Sequence, residues 1–212
     1  DARIAQANAL ADRGRLGAKE PPELRDAIDC FQRAGVTYPA ARLRHAEALY
    51  FRYRHAKSFG STSTEDLEAA REVFRGAIGH LPGHPDAAAW FAAAKAEFAA
   101  VTAKDAGARV AALEEEVREL TVLVDAHPGR AQLRSLRGQA RSQLAEWRER
   151  RGDSWEGDLE EAIRDLDAVL ARRRGAADVL RERGRVWVIR AIFEDAHGRD
   201  SAESLRRGAA DL

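Results

Sequence analysis

The sequence predicts an all-α chain of about five antiparallel helix pairs stacked as a repeat array. Three observations point there. A triplet of residues spaced four and then three apart recurs along the chain, as Ala27/Phe31/Ala34, Ala70/Phe74/Ala77, Glu116/Leu120/Leu123 and Ala162/Leu166/Val169, with a weaker fifth at Ala202/Arg206/Ala209. Between the triplets lie longer stretches whose apolar residues follow the 3, 4, 7 spacing of an amphipathic helix. No β-branched-rich alternating run, the mark of a half-buried strand, occurs anywhere. The central positions of the five triplets, 31, 74, 120, 166 and 206, lie 43, 46, 46 and 40 residues apart.

The elements follow in order. Residues 2–14 read as a short helix. The first triplet sits on a helix that must end before Pro39, because the residue ahead of a proline is pushed out of helical geometry. Residues 40–58 carry Leu43, Ala46, Leu49, Tyr50 and Tyr53 on one stripe. Ser63 with Asp66 then has the spacing of a capping box opening the second-triplet helix, which stops ahead of Pro82. Residues 85–105 carry Trp90, Phe91, Ala94, Phe98 and Val101, and the third-triplet helix ends before Pro128. Residues 129–151 carry Leu133, Leu136, Ala140, Leu144 and Trp147. Residues 176–197 carry Leu180, Gly184, Trp187, Ala191 and Phe193, and Asp200 with Glu203 marks the start of the last helix. The repeats run over 1–38, 39–81, 82–127, 128–174 and 175–212.

A small residue, a large one at +4, a small one at +7 and a proline at +12 resembles the second-helix signature of the tetratricopeptide repeat (TPR) family. Gly138 and Gly184 match that family's first-helix glycine, and Trp187 its later aromatic. The period exceeds the ~34 residues of the family repeat, so the helices or loops within each pair are longer. Stretches such as Arg151 to Ile163 are similar to the elongated repeats attached to some bacterial serine/threonine protein kinases. The resemblance implies a right-handed α-solenoid whose first helices line a concave face. It further implies a non-catalytic scaffold that binds a protein or peptide there, or a regulatory segment acting in cis on an enzyme domain such as a kinase.

Charge refines that expectation. Lys+Arg and Asp+Glu are both 35, a net charge of zero, which disfavours general nucleic-acid binding. Locally the balance breaks: residues 39–60 hold five basic side chains against one acidic, and residues 129–152 seven against two. Residues 107–126 hold two against five, and residues 153–171 one against seven. Basic first helices therefore face acidic second helices, or present arginine to an acidic partner. Aligning on the repeat places Tyr50, Tyr53, Arg54, Gln139, Ser142, Arg181 and Arg185 on the concave face. Ala89, Ala93 and Ala96 of the third pair give that face a smooth floor. The family's clamp for chaperone C-terminal tails needs lysine and asparagine at set positions, and Asn8 is the one asparagine, so that ligand is disfavoured.

Enzyme chemistry finds no constellation. His80 and His84 are separated by Leu81-Pro82-Gly83, so they share no helix face, and His127 and His197 read as helix-end residues that bind terminal carbonyls. The single cysteine, Cys30, excludes an internal disulfide and any multi-cysteine zinc site, and reads as a small core residue beside Phe31. No phosphate-cradling glycine motif and no kinase catalytic motif is present. No catalytic, metal or cofactor site is expected. No run approaches a membrane span and no export signal is visible, which gives a cytoplasmic location as the expectation. The chain has no methionine, and its last helix reaches Leu212 without a polar capping helix, so it reads as part of a longer array.

Overall fold

The computed structural model describes residues 22–35, 38–58, 63–81, 83–103, 105–173 and 175–212. The helix expected over residues 2–14 lies outside them, as do Pro82 and Arg174. Among the described residues every regular element is an α-helix: α1 (Pro22–Gly35), α2 (Pro39–Ser58), α3 (Glu65–His80), α4 (Pro85–Thr102), α5 (Ala106–Ala126), α6 (Ala131–Arg151), α7 (Glu156–Arg172), α8 (Ala177–Ala196) and α9 (Ala202–Asp211). Three of them open on proline, which suits the first helical position because its missing N–H has no partner there anyway. The ends of α6 and α8 are built alike. Gly152 and Gly198 take φ of 75° and 68°, and the amides of Asp153 and Arg199 reach back to the carbonyls of Arg148 and Glu194 at 2.9 and 2.8 Å. Only a residue free of Cβ strain closes a helix this way cheaply.

The start signals differ in detail from expectation. The N-cap of α3 is Thr64, and Ser63 accepts a weak bond from the Glu65 amide at 3.4 Å instead of capping the helix. At α9 the cap is Ser201, while Asp200 accepts from the Ala202 amide at 3.0 Å. Both are local turns rather than capping boxes. At α5 a side chain caps the helix: Asp105 accepts from the Ala108 amide at 2.8 Å.

The chain forms two compact units, one ending at Phe98 and one running from Ala99 to Leu212. In the first, α1 packs on α2 and α2 on α3. Ala27, Phe31, Ala70, Phe74 and Ala77 are buried, and Ala34, the last member of the first triplet, is half-buried. Tyr50 and Phe51 of α2 meet Trp90 of α4 edge-on, with centroids 5.8 and 5.5 Å apart. In the second unit α5, α6, α7, α8 and α9 each pack on the next, and α6 also touches α8 across the pair boundary. This is the all-α solenoid stacking that the period predicts. Arg137, Arg141 and Arg148 of α6 meet Asp165, Glu161 and Asp158 of α7, so the two helices run antiparallel.

The fifth triplet is a correction. Ala202, Arg206 and Ala209 are all exposed, whereas Ser204 and Gly208 are buried. The structural register keeps a period of 46: Gly138 lies against Ala162 and Leu166, and Gly184, 46 residues on, lies against Gly208 and Leu212. The small-residue spacing at 202 and 209 imitates the motif, but the glycine contact sets the register. A Cβ on Gly184 would come within 3.1 Å of the Gly208 carbonyl, so no larger residue allows α8 and α9 to approach so closely.

Candidate functional site

The residues expected on the concave face fall in both units, and their side chains have unequal access. Tyr50 and Tyr53 are buried in the first unit. Tyr53 donates its hydroxyl to Glu97 Oε1 at 2.9 Å, and Lys57 approaches the same oxygen at 2.5 Å. Burial and the Glu97 carboxylate push the Tyr53 hydroxyl well above the usual tyrosine range. Arg54 is half-buried. In the second unit Ser142 is fully buried and its hydroxyl has no hydrogen-bond partner among the described residues, and Gln139 is half-buried. Arg185 is exposed and binds Glu146 of α6 at 2.8 Å, joining consecutive first helices. Arg181 is exposed and makes no ion pair among the described residues. Of the seven, Arg54, Gln139, Arg181 and Arg185 are the ones that reach solvent. Tyr50, Tyr53 and Ser142 are buried, with Tyr50 against Trp90 and Tyr53 against Glu97 of α4. Ala89, Ala93 and Ala96 are likewise buried and form no open floor.

Arginine is the residue around which the second unit is organised. Arg137 binds Asp165 through two bonds of 2.8 and 2.6 Å and reaches Thr121 of α5 at 3.4 Å. Arg183 binds Asp211 at 2.7 and 2.6 Å and Asp167 of α7 at 2.5 Å. The two clasps are related by the 46-residue period at every position. Each arginine precedes the packing glycine and ties its own second helix to the preceding one. Hydrogen bonds to the carboxylates raise both guanidinium pKa values. Arg148 does the same work one turn from the helix end, bonding Asp158 at 2.6 Å and Glu114 of α5 at 2.8 Å. In the first unit Arg52 grips Asp66 with two bonds of 2.7 and 2.5 Å. The opposed charges of first and second helices are thus met largely inside the stack.

Sequence reasoning missed a cleft. A cavity of about 810 Å³ opens between α5 and α7 above α6, with Glu114, Arg141, Arg148, Asp158 and Glu161 in its lining. Burial raises the Asp158 carboxyl above its ordinary value, against the opposing pull of Arg148. The acids at 114, 158 and 161 were visible as charge. Their meeting across two second helices depends on small residues such as Gly107 and Ala111, whose spacing carries no motif.

Histidines act at helix ends: His197 Nδ1 lies 2.7 Å from the Phe193 carbonyl oxygen, and the Ala87 amide donates to His84 Nδ1 at 3.3 Å. Cys30 is half-buried, with Arg33 at 3.7 Å from its sulfur. Among the described residues no group of three or more His, Cys, Asp and Glu side chains has a metal-holding arrangement, and no helix is long and apolar enough to cross a membrane.

No family model matches the chain, and no curated protein matches it. Among solved structures, "MamA AMB-1 C2221" aligns at a TM-score of 0.45 with 15% identity over 100% of both chains. "MamA RS-1 ArsTM double mutant" aligns at 0.45 with 13% identity, covering 100% of this chain and 95% of the other. "MamA AMB-1 P212121" aligns at 0.42 with 16% identity over 98% and 92%.

Proposed function

We propose that this chain is a non-catalytic protein–protein interaction scaffold whose stacked first helices present arginine to an acidic protein or peptide. The observation that supports this reading is how the arginines of the second unit are distributed. Those at the helix-pair contacts, Arg137, Arg148 and Arg183, are committed to carboxylates of the stack. Arg181, two residues before Arg183 on the same helix, is exposed and has no such partner among the described residues. A planar guanidinium held on a packed helix offers a two-pronged grip to a carboxylate at little ordering cost. The repeating clasps supply the stiffness, because each arginine fixes consecutive second helices.

The test uses fluorescent Asp/Glu-rich peptides and an Arg181→Glu, Arg185→Glu double variant. Binding by the parent chain that falls at least tenfold in the variant, with helicity and melting unchanged, supports the reading. Equal affinity in both, or no binding of any acidic peptide at low salt, overturns it.

A further inference from the structure

We propose that the outer face of α8 and α9 is a self-association surface, which a second copy of this chain covers with the same face about a two-fold axis. Arg54, Arg181 and Arg185, invoked above, carry no part of the contact, so the two readings stand or fall separately.

The 46-residue period shows what such a face requires. Helix α8 packs on both α6 and α7, and its Val179 and Val186 join Leu159 and Leu166 of α7 in one buried cluster. Moving 46 residues along the chain carries Leu159 to Leu205 and Leu166 to Leu212. The packing within the pair is kept. Leu166 Cγ lies 3.3 Å from where a Cβ on Gly138 would stand, and Leu212 Cγ lies 3.0 Å from the same place on Gly184. The cover is not kept. Leu159 and Leu166 are fully buried, whereas Leu205 and Leu212 are 50% and 73% exposed. On the first helix, Glu146 becomes Ile192, which is 58% exposed, and the buried Ser142 becomes the half-buried Val188. A Cβ on Gly208 would come within 3.0 Å of Val188, so the apolar side chains of α8 and α9 adjoin.

The residue changes name the occupant. Inside the stack the following first helix is anchored by arginine: Arg185 of α8 binds Glu146 of α6 at 2.8 Å, and Arg183 binds Asp167 of α7 at 2.5 Å. Isoleucine at 192 has no oxygen for such an arginine, so a further helix of the α8 kind would set its guanidinium against an aliphatic side chain. The face suits an apolar counterpart instead. Five large apolar side chains are exposed among the described residues, and three of them, Ile192, Leu205 and Leu212, belong to this face, while Tyr38 and Val122 stand singly elsewhere. The matching surface on a second copy is therefore this same face, and a face that pairs with itself closes as a two-fold dimer. Charge agrees. Glu203 and Arg206 stand one turn apart on the exposed side of α9, so an antiparallel α9 from the second copy sets acid against base twice. Three aliphatic side chains per copy make a small interface, which fits a dimer of micromolar affinity.

Sedimentation velocity of the chain, from low micromolar to near-millimolar concentration, reads the association directly. The expected result is a shift from the mass of one chain to that of two, with no larger species. Ile192→Glu and Leu205→Glu each place a charge at an exposed position, and each should raise the dimer dissociation constant at least tenfold. Val122→Glu, as exposed but on α5, should leave it unchanged. A second measurement locates the contact. In a Cys30→Ser background, which removes the single native thiol, a short bis-maleimide should join two copies carrying Leu205→Cys and should not join copies carrying Val122→Cys. The proposal is overturned if the chain stays a single copy at every concentration or if its mass grows past two copies. It is equally overturned if the dimer survives glutamate at 192 and 205, or if the linker joins copies at 122 as readily as at 205. Melting curves within a few degrees of the parent show that the variants remain folded.

Discussion

Arg137 holds Asp165 through two near-parallel bonds, and 46 residues on Arg183 holds Asp211 in the same way. In both cases the arginine immediately precedes a glycine on which the paired helix rests. The close approach and the ion pair are therefore one device: the glycine brings the second helix near enough, and the fork fixes its rotation. Such a pair contributes little net stability beyond its desolvation cost, but breaking it strands a buried charge.

Arg137→Met is expected to destabilise the second unit by about 2–4 kcal/mol, toward the lower end for a broken buried pair. The reason is that Arg134 and Arg141 remain near Asp165, at 3.7 and 3.9 Å, and take up part of its charge. Adding Asp165→Leu to Arg137→Met should restore most of the loss. Urea unfolding of the four members of this double-mutant cycle measures it. A double variant as unstable as the sum of the singles would show that the two residues do not act together.

The glycines separate by what a Cβ would meet. Gly138→Ala and Gly184→Ala are each expected to cost about 1–3 kcal/mol, because the added methyl meets a backbone carbonyl at 3.3 and 3.1 Å respectively. Gly76→Ala, in the interior of α3 with nothing within 4 Å of its Cβ, should gain about 0.5–1 kcal/mol through helix propensity alone. Thermal melts of the three variants should therefore move in opposite directions.

These contrasts mark how far the sequence could be read. The Ala70/Phe74/Ala77 and Ala162/Leu166/Val169 triplets are buried, because a 3–4 spacing of small and large residues has one physical use on a packed helix. Gly138 and Gly184 were legible for the same reason. The last triplet misleads because alanine spacing alone does not separate a packing ridge from an exposed one, and its central Arg206 has a side chain 75% exposed. The candidate site was harder to read. Tyr50, Tyr53 and Ser142 lie on first helices but are covered by neighbouring helices, and helical spacing does not say how many neighbours a face has. The cleft depends on which side chains lean across it, and that is settled by ion pairs 34 and 20 residues apart in sequence.

At the start of α7 the Glu156 carboxyl is held at about 2, below the ordinary 4.5, chiefly by its own backbone N–H and further by Ser154 and Arg199. Arg199 donates to it at 3.0 Å from beyond α8, so this acid ties the loop after α8 to the first turn of α7. A carboxyl depressed on folding contributes stability that is full above pH 4.5 and fades as the pH falls toward 2. Carbon-detected NMR titration should find Glu156 among the most acidic of the glutamates, and Arg199→Ala should move its midpoint upward. A midpoint unchanged by that substitution would show that the bond does not persist in solution.

Ser142 gives the sharpest separation between a binding and a packing role. It was expected to face a ligand, yet it is fully buried and its hydroxyl lacks any acceptor or donor among the described residues. A buried hydroxyl without a partner costs about 1–3 kcal/mol in lost hydration, and alanine also has the higher helix propensity. Ser142→Ala is therefore expected to raise stability by about 1 kcal/mol, with part of the gain returned to the small void left by the oxygen. Ser142→Val, which keeps the γ-volume and adds a methyl to a fully enclosed position, should instead destabilise by about 1–3 kcal/mol. Neither substitution should alter affinity for an acidic peptide beyond what the change in folded fraction explains. Urea unfolding and peptide titration on the same two variants check both halves. A Ser142→Ala protein that is less stable than the parent would mean that the hydroxyl is satisfied in solution, and a stable one with lost binding would return Ser142 to the ligand surface.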